Sequence, residues 1–444
     1  MKGKSPTQNQ RNLFRPILIE IINPNDPLVI LSNNIDWAGL EKEFSELYSN
    51  TGMPAKPIRL MVGLLILKQM FNHGDETLMP VWVQNPYYQY FCGEAEFQWK
   101  FPCDPSDLVH FRKRIGTKGI EKIFSQSVKI HKITKKECED VIVDTTVQEK
   151  NITFPTDTKL QFKIIEKCNK IAKQEGVEMR QTYTRTLKKL RIMLRFSHHP
   201  KRKKHARKAQ KKIKVIAGRQ IRDLTRKLPQ EVYDKYRDLF EVFEKILKQT
   251  KTSKNKIYST HEPETACIAK GKLHKPYEFG SKVSFAMIPK RNIIVGVVNF
   301  KGNPNDTTTL SPTLETCKSQ SGLSFKNVIV DRGYKGHTKI GETKVILPGK
   351  TNPAKYWEKQ KIRKKCRSRA AIEPIIGHIK TDCRMFKNYL KGSTGDQMNA
   401  ILAASAMNFR QYLKKIKKDF LFAFEKILLS KNQTNYFFVF LAKK

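Results

Sequence analysis

Apolar residues recur along this chain in two periods, and the switches between them divide it. Residues 1–35 show neither period: Pro6, Pro16, Pro24 and Pro27 interrupt any long helix, so an irregular start is expected. Trp37, Leu40, Phe44 and Leu47 then recur at helical spacing, predicting a helix over 36–49. After a break at Gly52 and Pro54, residues 58–72 are apolar on most faces, the pattern of a buried helix. Val81, Trp82, Val83, Tyr87, Tyr88, Tyr90 and Phe91 form an aromatic cluster. The stretch SDLVHFRKR, residues 106–114, reads as a capped helix carrying Arg112, Lys113 and Arg114 on its exposed side.

The first strand pattern spans 138–146, where Val141, Ile142 and Val143 run together as in a strand covered on both faces. Asp144 closes that run. From 159 to 256 the period returns to helical, with stripes such as Leu160, Ile164, Cys168 and Ile171. Residues 280–288 and 292–300 then alternate and are joined by Pro289, Lys290 and Arg291, predicting an antiparallel hairpin. Asp306, in the polar turn with Asn303 and Asn305, is a fourth candidate acid, but the turn reads more naturally as an Asx turn that caps a helix over 309–320. Val328, Ile329 and Val330 form a second short apolar strand, closed by Asp331, and 344–347 a third. Glu373 stands at the start of a helix in CRSRAAIEPIIGHIK, residues 366–380, and Pro374 sets that start or a kink. A last amphipathic helix is expected over 396–417.

Strand with Asp, strand pair, helix, strand with Asp, strand, helix with Glu is the order of an RNase H-like mixed sheet. The expected architecture is therefore α/β. Residues 1–137 form a helical N-terminal DNA-binding domain, and 138–158 with 257–417 an RNase H-like catalytic core. Residues 159–256 are a basic helical insertion after the first strand, and 418–444 a C-terminal tail.

Charge decides the class of partner. With 85 Lys and Arg against 41 Asp and Glu, the 444-residue chain carries a net +44, which points to nucleic acid. Residues 201–227 hold thirteen Lys or Arg and one acid, Asp223. Ile213, Ala217, Ile221, Leu224 and Leu228 interleave among them at helical spacing. A helix laid along a phosphate backbone fits this pattern better than a disordered run, with Lys203, Lys204, Lys211 and Lys212 as contacts. His198, His199 and His205 lie among cations and read as surface residues. Eight cysteines show no metal or disulfide spacing and are expected as buried thiols in a reducing compartment. No apolar run is long enough to span a bilayer, so an intracellular, cytoplasmic and nucleoid-associated protein is expected.

Against that positive background, three carboxylates at element ends point to divalent metal. Asp144, Asp331 and Glu373 are hard oxygen donors suited to Mg²⁺, with Mn²⁺ as a substitute, and to two-metal phosphoryl transfer. Arg369 and Lys380 flank Glu373 at helical spacing and are expected to hold DNA phosphates, as are Arg112 and Lys113.

These motifs resemble the DDE transposases of bacterial insertion sequences, in the broad superfamily of types four and five and closest to the type-five branch. That group carries Tyr, Arg, Glu and Lys separated by two, three and six residues. Arg369, Glu373 and Lys380 stand at those intervals, and Cys366 replaces the Tyr. VIVDTTVQEKNITFPTD looks like the region of the first Asp, and VIVDRGYKG like that of the second. The resemblance runs from about residue 36 to 417. It implies metal ligation by Asp144, Asp331 and Glu373, cleavage at the ends of the protein's own element, and joining of those ends to target DNA. Two ends must be held together, which implies a homodimer. A metal-dependent nuclease and a catalytically inactive basic nucleic-acid-binding protein are the alternatives.

Overall fold

The computed structural model describes residues 1–3, 15–250, 252–271, 274–349 and 356–441, with side chains as far as 419. Pro6 and the side chains of the apolar stretch 436–442 lie outside the described residues. The N-terminal part is helical: α1 (Leu18–Ile21), α2 (Pro27–Asn34), α3 (Trp37–Ser45), α4 (Ile58–Met70), α5 (Asp75–Gln84), α6 (Pro86–Phe91) and α7 (Pro105–Lys129). The irregular start is corrected here. Pro27 begins α2 rather than breaking it, because its missing N–H would have no partner in a first turn anyway. The Asp26 carboxylate caps that helix by accepting from the Leu28 N–H at 2.8 Å.

Helix α7 starts one residue before the expected cap. Asp104 accepts from the Ser106 N–H at 2.8 Å, and Asp107 accepts from the Asp104 N–H at 3.1 Å, a reciprocal cap. Gly116, at φ 59° and ψ −169°, kinks α7 in a conformation that only glycine adopts without strain.

Beyond α7 the chain forms β1 (Asp140–Glu149), then α8 (Asp157–Gln174), α9 (Thr184–Leu194), α10 (Pro200–Lys227) and α11 (Gln230–Lys248). It returns through β2 (Ala266–Ala269), β3 (Tyr277–Ile288) and β4 (Ile293–Phe300) to α12 (Asp306–Ser321). Next come β5 (Asn327–Ile329), β6 (Lys339–Ile340), β7 (Thr343–Ile346), α13 (Tyr356–Ser368), α14 (Ile372–Asp382) and α15 (Gly392–Leu441). Helix α15 begins before residue 396 and runs through 417 unbroken, so the expected start of a tail falls inside one helix.

The sheet is mixed. Its path is β2-β3-β1-β5-β7-β6, with β4 also on β3. Strands β1, β5 and β7 are parallel neighbours; β3 runs antiparallel to β1, β2 and β4. Gly280 is where β3 pairs with β1 and β2 at once, and a Cβ there would sit 1.9 Å from the Gln148 carbonyl oxygen.

Two apolar cores result. One is continuous from α4, α5 and α7 through the sheet to α12, α14 and α15; the other lies wholly among α8 to α11 and residue Ile257. All eight cysteines are free; five are buried, and Cys138, Cys267 and Cys366 are only half-buried. Among the described residues no helix is long and apolar enough to cross a membrane.

Candidate active site

The first two acids stand just past one ladder. Strands β1 and β5 pair in parallel from Asp140 with Asn327 to Ile142 with Ile329, and each acid lies two residues beyond that last pair. The charge of Asp331 acts on the Asp144 carboxyl. Asp144 does not end its strand, as the apolar run suggested. It lies mid-strand, opposite Phe285, because β1 goes on pairing with β3 after losing β5. The opening left there, past the carboxyl end of β5, is where ligands bind in such sheets.

Asp331 leaves the sheet into a 3-10 turn (Arg332–Tyr334) and accepts from the Gly333 N–H at 2.8 Å. Glu373 arrives on α14. The chain tightens into a 3-10 turn (Arg369–Ala371) between α13 and α14, under the ring of Pro374, which neither breaks nor begins the helix. Ile372, Ile375, Ile376 and Ile379 bury one face of α14, leaving Glu373 exposed on the other.

Arg369 joins the two halves. Its guanidinium stands 3.7 Å from Asp144 and 3.3 Å from Glu373. Burial raises the Asp144 carboxyl to about 6; the Thr145 N–H opposes this, the charge of Asp331 adds to it, Arg369 opposes it, and Glu373 adds to it. Asp144 thus feels both other acids, although the three are remote in sequence. Among the described residues, no three His, Cys, Asp or Glu side chains are grouped closely enough to hold a metal ion as they stand. In this conformation the cation between Asp144 and Glu373 is an arginine.

Asp306 was misread as a turn residue. The Asn305 side chain makes no cap, and Asp306 is the first residue of α12. Its Oδ1 accepts from the Thr145 hydroxyl at 2.7 Å and pairs with Lys282 at 2.7 Å. The acid at the head of a helix was visible in the sequence, but its partners on β1 and β3 were not.

The expected DNA contacts scatter. Arg112 is corrected: it is 5% exposed and lays both terminal nitrogens on Asp75, at 3.0 and 2.7 Å. Lys113 is exposed. Lys203, Lys204, Lys211 and Lys212 all lie on the solvent side of α10, whose other face buries Ala209, Ile213, Ile216, Ile221 and Leu224. His198, His199 and His205 are exposed. Lys380 is half-buried; burial lowers its pKa, and Glu278 and Glu149 draw it back up.

Residues 16–114 match a transposase domain family (DUF772), and residues 247–409 match a transposase DDE domain. The chain belongs to the insertion-sequence DDE transposases. Such an enzyme cleaves DNA and transfers the cut strands. A Rhizobium meliloti protein, the uncharacterized protein ORF8 in the nfe locus, is 40% identical to this transposase over 203 residues. That match covers 45% of this chain and 98% of the relative. No solved structure matches the transposase. The DDE match contains Asp331 and Glu373 but starts after β1, so Asp144 lies outside it.

Proposed function

We propose that Asp144, Asp331 and Glu373 are the metal-binding carboxylates with which this transposase cuts the ends of its element and joins them to target DNA. The observation that supports this is Arg369, whose guanidinium stands on both Asp144 and Glu373, with Asp144 and Asp331 each two residues past the β1–β5 ladder. The sheet order is read as an RNase H-like core. The residues suit a divalent cation: the donors are hard carboxylate oxygens, Arg369 stands where positive charge is wanted, and Gly333 leaves open a cradle that a Cβ would fill. Mg²⁺ fits best, with Mn²⁺ as a substitute. Bound there, such ions supply an activated water or hydroxyl and stabilise the departing oxygen.

The protein's own groups do the rest. Arg369 neutralises the acids until the backbone of DNA draws its fork away, since a guanidinium binds phosphate as well as carboxylate. The exposed lysines of α10 bind the duplex away from the cut, a homodimer holds two ends together, and the charge places the enzyme on the bacterial nucleoid in the cytoplasm.

Purified protein, Mg²⁺ and labelled DNA carrying the element's terminal repeats test this. Asp144→Asn, Asp331→Asn and Glu373→Gln should each abolish cleavage and joining while leaving DNA affinity intact. Near-normal turnover in any of the three removes that residue from the site. Cleaved ends with no joined product in the wild type would favour a nuclease.

A further inference from the structure

We propose that Asp306 is a fourth carboxylate of the site, giving its Oδ2 to a divalent cation shared with Asp331. This rests on the reading of Asp331 and Asp144 as metal ligands. The geometry of Asp306 is that of a ligand with a built support. Its Oδ1 is fixed from two strands, by the Thr145 hydroxyl on β1 and the Lys282 ammonium on β3, each at 2.7 Å. Lys282 is itself tied to the Pro304 carbonyl at 2.8 Å, just ahead of α12. With one oxygen held, the carboxylate cannot rotate freely, which is how outer-shell partners orient a metal ligand.

The other oxygen turns toward Asp331. A Cβ built on Gly333 would lie 3.3 Å from Oδ2 of Asp306 and 3.0 Å from Oδ1 of Asp331. Two carboxylates from different elements therefore converge on the one residue between them that has no side chain. Among the described residues Oδ2 accepts no hydrogen bond, the Thr145 hydroxyl and the Lys282 ammonium both sitting on Oδ1.

A second observation points to a missing partner. Tyr334 is 1% exposed, and its hydroxyl makes no hydrogen bond. Burial pushes its pKa up, the charges of Asp144 and Asp306 push it further, and the nearby Thr145 and Thr309 hydroxyls oppose them. A buried hydroxyl that no group meets in hydrogen-bond geometry, in the field of these two carboxylates, suits a site where a cation would carry ordered water. Thr145 serves both sides: its N–H donates to Asp144 at 2.8 Å and its hydroxyl to Asp306.

The test is Mn²⁺ binding to the full chain without DNA, followed by the loss of the free-ion signal in electron paramagnetic resonance. Asp306→Asn, nearly isosteric, should weaken binding about tenfold or more, and Thr145→Val should weaken it less, as an outer-shell change. Thermal melts of the metal-free variants keep folding defects apart from ligand loss. If Asp306→Asn fails to fold, Thr145→Val decides alone. Wild-type affinity in the folded variants, with Asp144→Asn strongly impaired, overturns this proposal and leaves the three-acid reading standing. If Asp144→Asn also binds as wild type, the three-acid reading falls instead. A wild-type chain that takes up no Mn²⁺ at millimolar concentration overturns both for the free protein.

Discussion

Replacing Arg112 with Ala separates a structural cation from a DNA-binding one. Arg112 and Lys68 both sit on Asp75, at 2.7 and 2.6 Å, with Arg112 and Lys68 almost fully enclosed. Burial alone would raise the Asp75 carboxyl, but hydrogen bonds and charge from Arg112 and Lys68 outweigh it and hold it at about 2. Burial pushes Lys68 down to about 8, and repulsion from Arg112 pushes the same way. Breaking a buried pair by removing one partner costs roughly 3–5 kcal/mol. Here Asp75 keeps Lys68, and Lys68 is relieved of a like charge, so the lower end applies: about 3 kcal/mol. For a domain this large that is a fall in Tm of about 5 °C. Thermal and urea unfolding should show the loss, while the salt dependence of DNA affinity stays unchanged. Lys113→Ala should do the reverse, lowering the salt slope by about 0.9 with little change in stability. An Arg112→Ala protein with wild-type Tm and a salt slope lower by about 1 would refute the buried-clamp argument. It would return Arg112 to the DNA.

The same clamp has a pH signature. The folded pKa of Asp75, about 2, lies below its ordinary 3.8, so its contribution is whole above that ordinary value and is lost as pH falls through 2. His131 acts earlier: burial lowers it from 6.5 to about 4, so its neutral form favours folding above 6.5 and that stability is lost as pH falls toward 4. Urea unfolding at pH 7 and 4.5 should differ by up to about 3 kcal/mol through this group, and His131→Gln should remove that part. Changing Lys203, Lys204, Lys211 and Lys212 together to Gln should cut the salt slope by up to about 3.6, and an unchanged slope takes α10 off the phosphates. Arg369→Gln removes the cation between Asp144 and Glu373, so Mn²⁺ should bind no more weakly than in the wild type; a tenfold loss would show that Arg369 orders the ligands instead.

Local periodicity carried most of the strand and helix positions, and long-range partners carried what was misjudged. The β3–β4 hairpin was legible because both strands alternate across a short connection. Strand β1 was legible only as far as residue 146. Gln148 and Glu149 look polar, yet Val147 to Glu149 extend the strand because β3 supplies a partner for each. Arg112 was placed outside because the one acid in SDLVHFRKR, Asp107, is occupied in the helix cap; the claimant, Asp75, stands on α5. Asp306 failed for the same reason, its partners being Thr145 and Lys282. Pro27 was read as a breaker, although the preceding Asp26 is a cap. The candidate acids themselves were visible, because carboxylates ending apolar runs are conspicuous in so basic a chain.

The helices between β1 and β2 explain how acids 187 residues apart in sequence can share an edge. The segment enters and leaves at one point. Gln249 donates to Asp157, the first residue of α8, at 2.8 Å and accepts from the Ile257 N–H at 3.0 Å, and Lys256 reaches Asp157 at 3.6 Å. Its apolar stripes are satisfied among themselves, so it asks nothing of the sheet. Closing such a loop costs only about 0.6 kcal/mol for each doubling of its length. Helices α8 to α11 can therefore be carried on the strand that holds Asp144 without disturbing the β1–β5 register. The exposed lysines of α10 then stand on a separate core from the acids. The separation matters, because like the guanidinium of Arg369, any lysine brought to Asp144 would compete for the place the proposed mechanism reserves for metal.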